Sequence, residues 1–319
     1  MSRPKDPTIW RDVHGIVLVD KPQGLSSNQA LQKVRRLFRA AKGGHTGSLD
    51  PLATGLLPVC LGEATKIAGH LLGASKAYVA DVRLGATTAT ADAEGEILET
   101  RPVPPLDAAA IERALAPLRG RIRQVPPIYS ALKQDGVPLY RLAREGVPVQ
   151  VEAREVEVFR LDLVSHDGAD LRLAVECGSG TYVRSLARDL GEALGCGAHL
   201  TALRRTASGD WTLAHAIPLA DCERDVAAMH ARVVPMSGLL SSWPAVTVNV
   251  DGERRIRHGQ MLRPADLISP ATDTSAGMDA AAGAEPECEG IRVLTAAGDL
   301  IAIAQPRADG LLHPGLVLV

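Results

Sequence analysis

The stretch GGHTGSLDPLATGLLPVCLGEATK, residues 43–66, decides how the rest of the chain is read. Its first part, GGHTGSLDPLATG, is too rich in Gly and Pro for regular structure. LLPVCLG is an apolar run of strand length, and EATKIAGHLLG, from Glu63, has helical spacing. The sequence therefore places a loop of about 13 residues between ordered elements, and loops of that length inside compact domains are usually functional. Asp50 stands in this loop, where Pro51 pushes its backbone away from helix toward an extended conformation. An isolated Asp-Pro most often makes an Asx turn or a helix cap. Spacing alone leaves Asp50 open between that role and a chemical one.

Upstream, IVLVD (16–20) reads as a buried strand ended by the turn Lys21-Pro22-Gln23-Gly24. Ser26 and Ser27 offer N-caps for a helix with Ala30, Leu31, Val34, Leu37 and Phe38 at helical spacing and basic residues on the opposite face. Downstream, AYVADVRLG alternates like a strand, and LDAAAIERALAPL (106–118) predicts a helix with Asp107 near its start. VEVFRLDLVSH and ADLRLAVEC form an antiparallel pair joined at Asp167-Gly168. GTYVRSLARDLGEALG is a helix and HLTALRRTASGDW a strand region. From about Pro244 the segments AVTVNV, IRVLTAAGDLIAIAQP and GLVLV are short strands, which predicts a small separate β domain. The small, acidic and Pro residues of LISPATDTSAGMDAAAGAEPECEG mark a flexible insertion between those strands.

A length of 319 residues is that of about two domains, and 46% hydrophobic with 23% charged residues excludes wholesale disorder and fibrous repeats. The N-terminus carries charge where a signal peptide would need an apolar stretch, and no run reaches the roughly 18 apolar residues of a membrane span; the expected location is cytoplasmic. Cys60, Cys177, Cys196, Cys222 and Cys288 are scattered without a Cys-x-x-Cys pair, so neither a disulfide framework nor a metal site is expected. The net charge of −2 hides an uneven distribution. Lys21, Lys33, Arg35, Arg36, Arg39 and Lys42 fall in a stretch without acids, whereas 264–291 holds six acids and no Lys or Arg. Without those six acids the balance becomes +4, which is compatible with a nucleic-acid partner.

Five blocks in order resemble the TruB family of tRNA pseudouridine synthases, which isomerise the uridine at position 55 in the T-loop. They are the 43–66 run, LVDKPQGLSSNQALQKVRR from 18, KAYVADVRLGATTATADAEG from 76, PPIYSALKQDGVPLYRLAREG from 126, and CGSGTYVRSLARDLGEALGCGAHLTALRR from 177. Together they cover most of residues 15–210. The resemblance implies an α/β fold of the α+β type: a catalytic domain over 1–242 around a mixed, mainly antiparallel sheet, with an RNA-clasping insertion at 119–146. A small all-β, PUA-like RNA-binding domain over 243–319 follows, carrying the acidic insertion 265–289.

By the same resemblance Asp50 is the catalytic carboxylate and acts as a nucleophile after base flipping. Its residues alone leave open attack on the sugar, attack on the base, or proton removal to a glycal. Arg184 is the implied cationic partner that keeps it ionised, and Tyr78 the tyrosine that lies against the target base and assists late removal of the carbon-5 proton. Tyr182 and Leu203 are implied to line the substrate pocket. His45 is implied to fill the place of the flipped nucleotide, since a base buried in a folded loop must be extruded to react. Lys21 and Lys66 are weaker substrate-binding candidates; Lys21 either supports the loop or meets phosphate. No cofactor is required, because the isomerisation has no net redox change. The expected partner is tRNA, touched at the T-loop and acceptor side, by a monomer.

Two rival activities fit the same residues: a tRNA-binding or folding module without chemistry, and an RNA glycosidase. The acidic insertion departs from the family pattern, and phosphate would repel it. Deleting Thr272–Glu289 is therefore expected to leave the rate of tRNA modification unchanged in a tritium-release assay, and a large fall would refute this.

Overall fold

The computed structural model describes residues 10–134, 136–149, 151–269, 290–307 and 309–318. The acidic insertion expected at 265–289 lies outside the described residues from 270 onward, as do the ends of the proposed deletion.

The IVLVD run forms β1 (Gly15–Lys21). Ser26 caps α1 (Ser27–Phe38) in a capping box with Gln29, and Ala30, Leu31, Val34 and Phe38 are buried. The glycine-rich run proves partly regular. Gly43–His45 makes a short β2 against β3 (Thr54–Leu61), and a Cβ on Gly43 would come within 3.2 Å of Leu31, so glycine lets this strand lie close to α1. After α2 (Ala64–Leu72) and β4 (Lys76–Leu84) comes a small hairpin, β5 (Ala86–Thr88) with β6 (Ile97–Thr100). The side chain of Asp107 caps α3 (Ala108–Leu115) by accepting from the amide of Ala110.

The segment expected to clasp RNA begins as β7 (Gly120–Gln124), an edge strand of the main sheet. It continues as a hairpin of β8 (Lys133–Gln134) and β9 (Val137–Pro138), then α4 (Leu139–Arg144). The long β10 (Arg154–Asp167) and β11 (Asp170–Cys177) turn at Gly168, whose φ of 57° suits glycine. Next come α5 (Val183–Ala193) and β12 (Ala198–Ser208), then the short β13 (Trp211–Thr212) and β14 (Ile217–Pro218).

Ten strands make one mixed, mainly antiparallel sheet whose main path runs β14-β1-β3-β12-β4-β11-β10-β7. The pleat sends alternate residues to opposite faces. Val17, Val19, Leu57, Val59 and Leu61 therefore join the large core with α1, α3 and α5, while Ile16, Leu18, Leu56 and Cys60 join a second core. That second core also holds Leu300, Ile303 and Leu318, so the C-terminal domain packs on the back of the main sheet.

The C-terminal sheet contains β15 (Ala245–Val248), β16 (Leu267–Ser269), β17 (Ile291–Leu294), β18 (Leu300–Pro306) and β19 (Leu312–Val317). It is not purely β. Residues 250–257 form a helix capped by Asn249, which buries Ile256 and leaves its charged residues outside. Those charges masked the helix in the sequence.

The two parallel bridges between β3 and β12, Thr54 to Arg204 and Gly55 to Arg205, join segments some 150 residues apart and lie beside a cleft that Arg205 lines. Gly55 has φ 101°, and a Cβ there would stand 2.3 Å from the carbonyl oxygen of Arg205. Gly55→Ala is expected to lower the unfolding free energy by about 3 kcal/mol or more, read as a shift in denaturant midpoint, because both backbone strain and overpacking apply.

Candidate active site

The Asp50 loop is tied down along its length. The Ser27 hydroxyl, at the start of α1, accepts from the amide of Leu49 at 2.6 Å and donates to the Leu49 carbonyl at 3.0 Å. Gly24 N–H donates to Pro51 O, and Ala53 N–H to Asp50 O. The loop is thus anchored to the turn after β1 and to the start of α1 without use of the Asp50 side chain.

That side chain opens into a cleft of about 430 Å³. Its walls include Leu49, Asp50, Lys76, Tyr78, Ser130, Thr181, Tyr182, Arg184, Leu203 and Arg205. Of the residues singled out in the sequence, Asp50, Tyr78, Arg184, Tyr182 and Leu203 are brought together there.

Arg184, in the first turn of α5, is 5% exposed, and its Nε lies 3.0 Å from Asp50 Oδ2; the Asp50 side chain is 42% exposed, so its free edge faces the cleft. The rest of the guanidinium is occupied. Nη1 donates to Thr90 O and Nη2 to Tyr129 O, both at 2.9 Å, and Asp92 Oδ2 lies 3.5 Å from Nη1. Asp92 is buried, and its carboxylate also accepts from the Glu94 amide and the Thr90 hydroxyl. One buried cation is therefore shared between two carboxylates, which fixes its position. Withdrawal from water pushes the Asp50 carboxyl above its ordinary value; Arg184 and Lys21 pull it down, and Asp92 adds to the rise.

Lys21 is fully buried, and its ammonium donates to Pro22 O at 2.9 Å and Leu25 O at 2.6 Å. It faces its own loop rather than solvent. Burial brings its pKa down to about 8, against the pull of Asp50 and Glu94. Tyr182 is held through its backbone, which exchanges two hydrogen bonds with the side chain of the buried Gln124 on β7. Leu203 is 8% exposed and supplies an apolar wall.

Three of the expected residues are not among those that wall the cleft: Lys21, held in its own turn, His45 and Lys66. His45, at the end of β2, is not part of the cleft wall; burial and the nearby Arg205 lower its pKa, which favours a neutral ring. Lys66, on α2, is committed to Glu63 and to the carbonyl of Val317, toward the C-terminal sheet. The sequence reading missed Asp92, Lys76 and Arg205. Asp92 sits in a Thr-rich turn that precedes β6, and its only signal was that an inward-facing Arg needs an acid to balance it. Adjacent arginines in Leu203-Arg204-Arg205 were another clue, since neighbours on a strand face opposite ways. Arg204 pairs with Asp20 at 2.7 Å, and Arg205 turns inward.

Among the described residues no group of three or more His, Cys, Asp or Glu side chains is placed to hold a metal ion, and no helix is long and apolar enough to cross a membrane.

The overall fold has solved counterparts. The structure described as an H/ACA RNP bound to a substrate RNA containing 2′-deoxyuridine includes a chain that matches with a TM-score of 0.69 at 22% identity, over 96% of this chain and 85% of that one. A Cbf5-Nop10-Gar1 complex matches equally well, with a TM-score of 0.69 at 23% identity over the same shares of both chains. At these identities the likeness is one of fold. Sequence similarity goes further. The description "TruB family pseudouridylate synthase (N terminal domain)" fits residues 35–183, and "tRNA pseudouridylate synthase B C-terminal domain" fits 184–241. The tRNA pseudouridine synthase B of Burkholderia lata is 49% identical over 319 residues, which is 100% of this chain and 94% of that protein. That of Xanthomonas campestris pv. campestris (strain B100) is 56% identical over 260 residues, 80% of this chain and 83% of the other. The chain belongs to the TruB family of pseudouridine synthases.

Proposed function

We propose that this protein isomerises uridine 55 in the T-loop of tRNA to pseudouridine, with Asp50 as the nucleophile. The observation that carries the reading is the Asp50–Arg184 pair: a half-exposed carboxylate held 3.0 Å from a buried guanidinium at the base of a cleft walled by Tyr78, Tyr182 and Leu203. RNA binding alone gives no reason to hold a carboxylate where phosphates approach.

In this reading Asp50 attacks the anomeric carbon of the flipped nucleotide, as a carboxylate does in retaining glycoside hydrolysis, and the bond to N1 breaks. The freed uracil turns between the Tyr78 and Tyr182 rings and the Leu203 wall. Carbon-5 then attacks the sugar and releases the carboxylate. Loss of the carbon-5 proton and gain of one on N1 complete the change, so no cofactor is called for. His45 fills the gap that the extruded base leaves in the loop, and Lys21 supports the Asp50 turn. Lys66 contributes at most indirectly.

Affinity for tRNA comes from phosphate contacts and falls with salt. Arg36 on α1 and Arg39 at its C-cap are exposed, and on the 119–146 segment Arg121, Arg123, Arg141 and Arg144 are exposed. The C-terminal sheet reaches the acceptor side, and the enzyme works as a cytoplasmic monomer. Mapping pseudouridine by primer extension after carbodiimide treatment tests the site: modification at position 55 supports it, and modification elsewhere, or none, refutes it.

A further inference from the structure

Arg205 raises a question that the proposed chemistry at Asp50 and Arg184 does not answer. It is among the largest fully buried side chains, at 1% exposure, and it lines the cleft. Its Nε donates to Leu56 O at 2.7 Å and Nη2 to Gly47 O at 3.2 Å. Among the described residues it makes no ion pair with a carboxylate, whereas Arg184 shares two and Arg204 has Asp20. A buried charge without a counter-charge is costly, so it is retained where something gains from it. The group placed to gain is Tyr78. The two are direct partners in the β4–β12 register, so their side chains share a face, and both line the cleft.

We propose that Arg205 is a positioning residue for the isomerisation: it holds the Tyr78 oxygen toward the cleft and readies it to take the proton from uracil carbon-5. This rests on the reading of the site as a uridine isomerase. In the step, the Tyr78 phenolate takes the carbon-5 proton, and the electron pair of that C–H bond returns to the ring and restores its double bond. The phenol gives the proton to water, and N1, which kept the electron pair of the broken glycosidic bond, ends with a proton from water. Charge and atoms balance, and no oxidant is needed.

The other charged and titratable groups around Tyr78 do not replace Arg205. Asp50 opposes a phenolate, and its partner Arg184 is already shared between carboxylates. On β11, the Cys177 thiol is pushed up to about 11 by burial. On Tyr78's own strand, Lys76 turns its ammonium onto Leu72 O and Ala74 O, and burial lowers its pKa. Tyr182, from the start of α5, is itself held protonated by burial. Burial raises the Tyr78 pKa, and Arg205 counters part of that rise.

Arg205→Gln and Arg205→Lys test this through two independent readouts. In single-turnover tritium release, Arg205→Gln is expected to lose about 30-fold or more at neutral pH. It should regain part of that as pH rises, with unchanged tRNA affinity; Arg205→Lys should lose less. In protein carrying 3-fluorotyrosine, with the Tyr78 signal assigned through Tyr78→Phe, fluorine NMR should show Tyr78 titrating about one pH unit or more higher in Arg205→Gln. If Arg205→Gln does not fold, Arg205→Lys is read by the same fluorine titration, where a smaller upward shift is expected. A Tyr78 titration that stays at the parent value in a folded variant overturns the proposal. The titration needs no turnover, so it stands apart from failure of the parent enzyme to release tritium, which would instead overturn the isomerase reading.

Discussion

Asp50→Asn is expected to stop tritium release from tRNA labelled at uracil carbon-5, a loss of about 10⁴-fold or more in single-turnover rate, with tRNA affinity kept within about threefold. Asparagine keeps the size and planarity of the side chain, and the loop is fixed by Ser27, Gly24 and Ala53 rather than by the carboxylate. Arg184 retains Asp92 and its two carbonyl partners, so the cleft should keep its shape. What disappears is the attacking oxygen's negative charge. A filter-binding curve beside the rate measurement separates loss of chemistry from loss of binding. Turnover retained in the variant would refute the role assigned to Asp50.

Arg184→Met should do nearly as much harm by a different route. Removal of the guanidinium leaves Asp92 buried with no cation and sets it against Asp50, both of which Arg184 now holds. Breaking one side of a buried ion pair costs about 3–5 kcal/mol of stability, to be read from denaturant midpoints. The single-turnover rate should fall by about 10²–10³-fold, and Arg184→Lys should rescue little, because one ammonium does not reproduce a planar fork between two carbonyls and two carboxylates. The pH dependence has a definite sign. Asp50 works ionised and its pKa is raised, so activity is lost as pH falls through a value above the ordinary carboxylate range. Without the downward pull of Arg184 that acidic limb moves to still higher pH. An acidic limb that stayed where the parent enzyme has it would contradict this electrostatic account.

Local structure was the legible part of the sequence. The Ser26 cap, the Asp107 cap and the turn at Gly168 each follow from side-chain chemistry acting within a few residues, and all three are present. The apolar run of β1 read as buried, and its two faces serve two cores. The sheet's register was not legible. Whether Gly55 meets Arg205 depends on strands about 150 residues apart, and nothing local in LRRTAS states which arginine turns inward. Asp92 escaped for the same reason: it reaches Arg184 only because the turn before β6 folds over the start of α5. Charged composition hid the helix at 250–257, and abundant glycine hid β2. The resemblance named Asp50, Tyr78 and Arg184, but the shared cation and the unbalanced Arg205 needed the assembled cleft.

The most direct measurement is to incubate the protein with unmodified tRNA tritiated at uracil carbon-5, then count released tritium and analyse the nucleosides. The account predicts about one tritium released per tRNA, matched by one pseudouridine and no free uracil. Free uracil would make the protein a glycosidase, and bound tRNA that keeps its tritium would leave only an RNA-binding module; either result contradicts the isomerase.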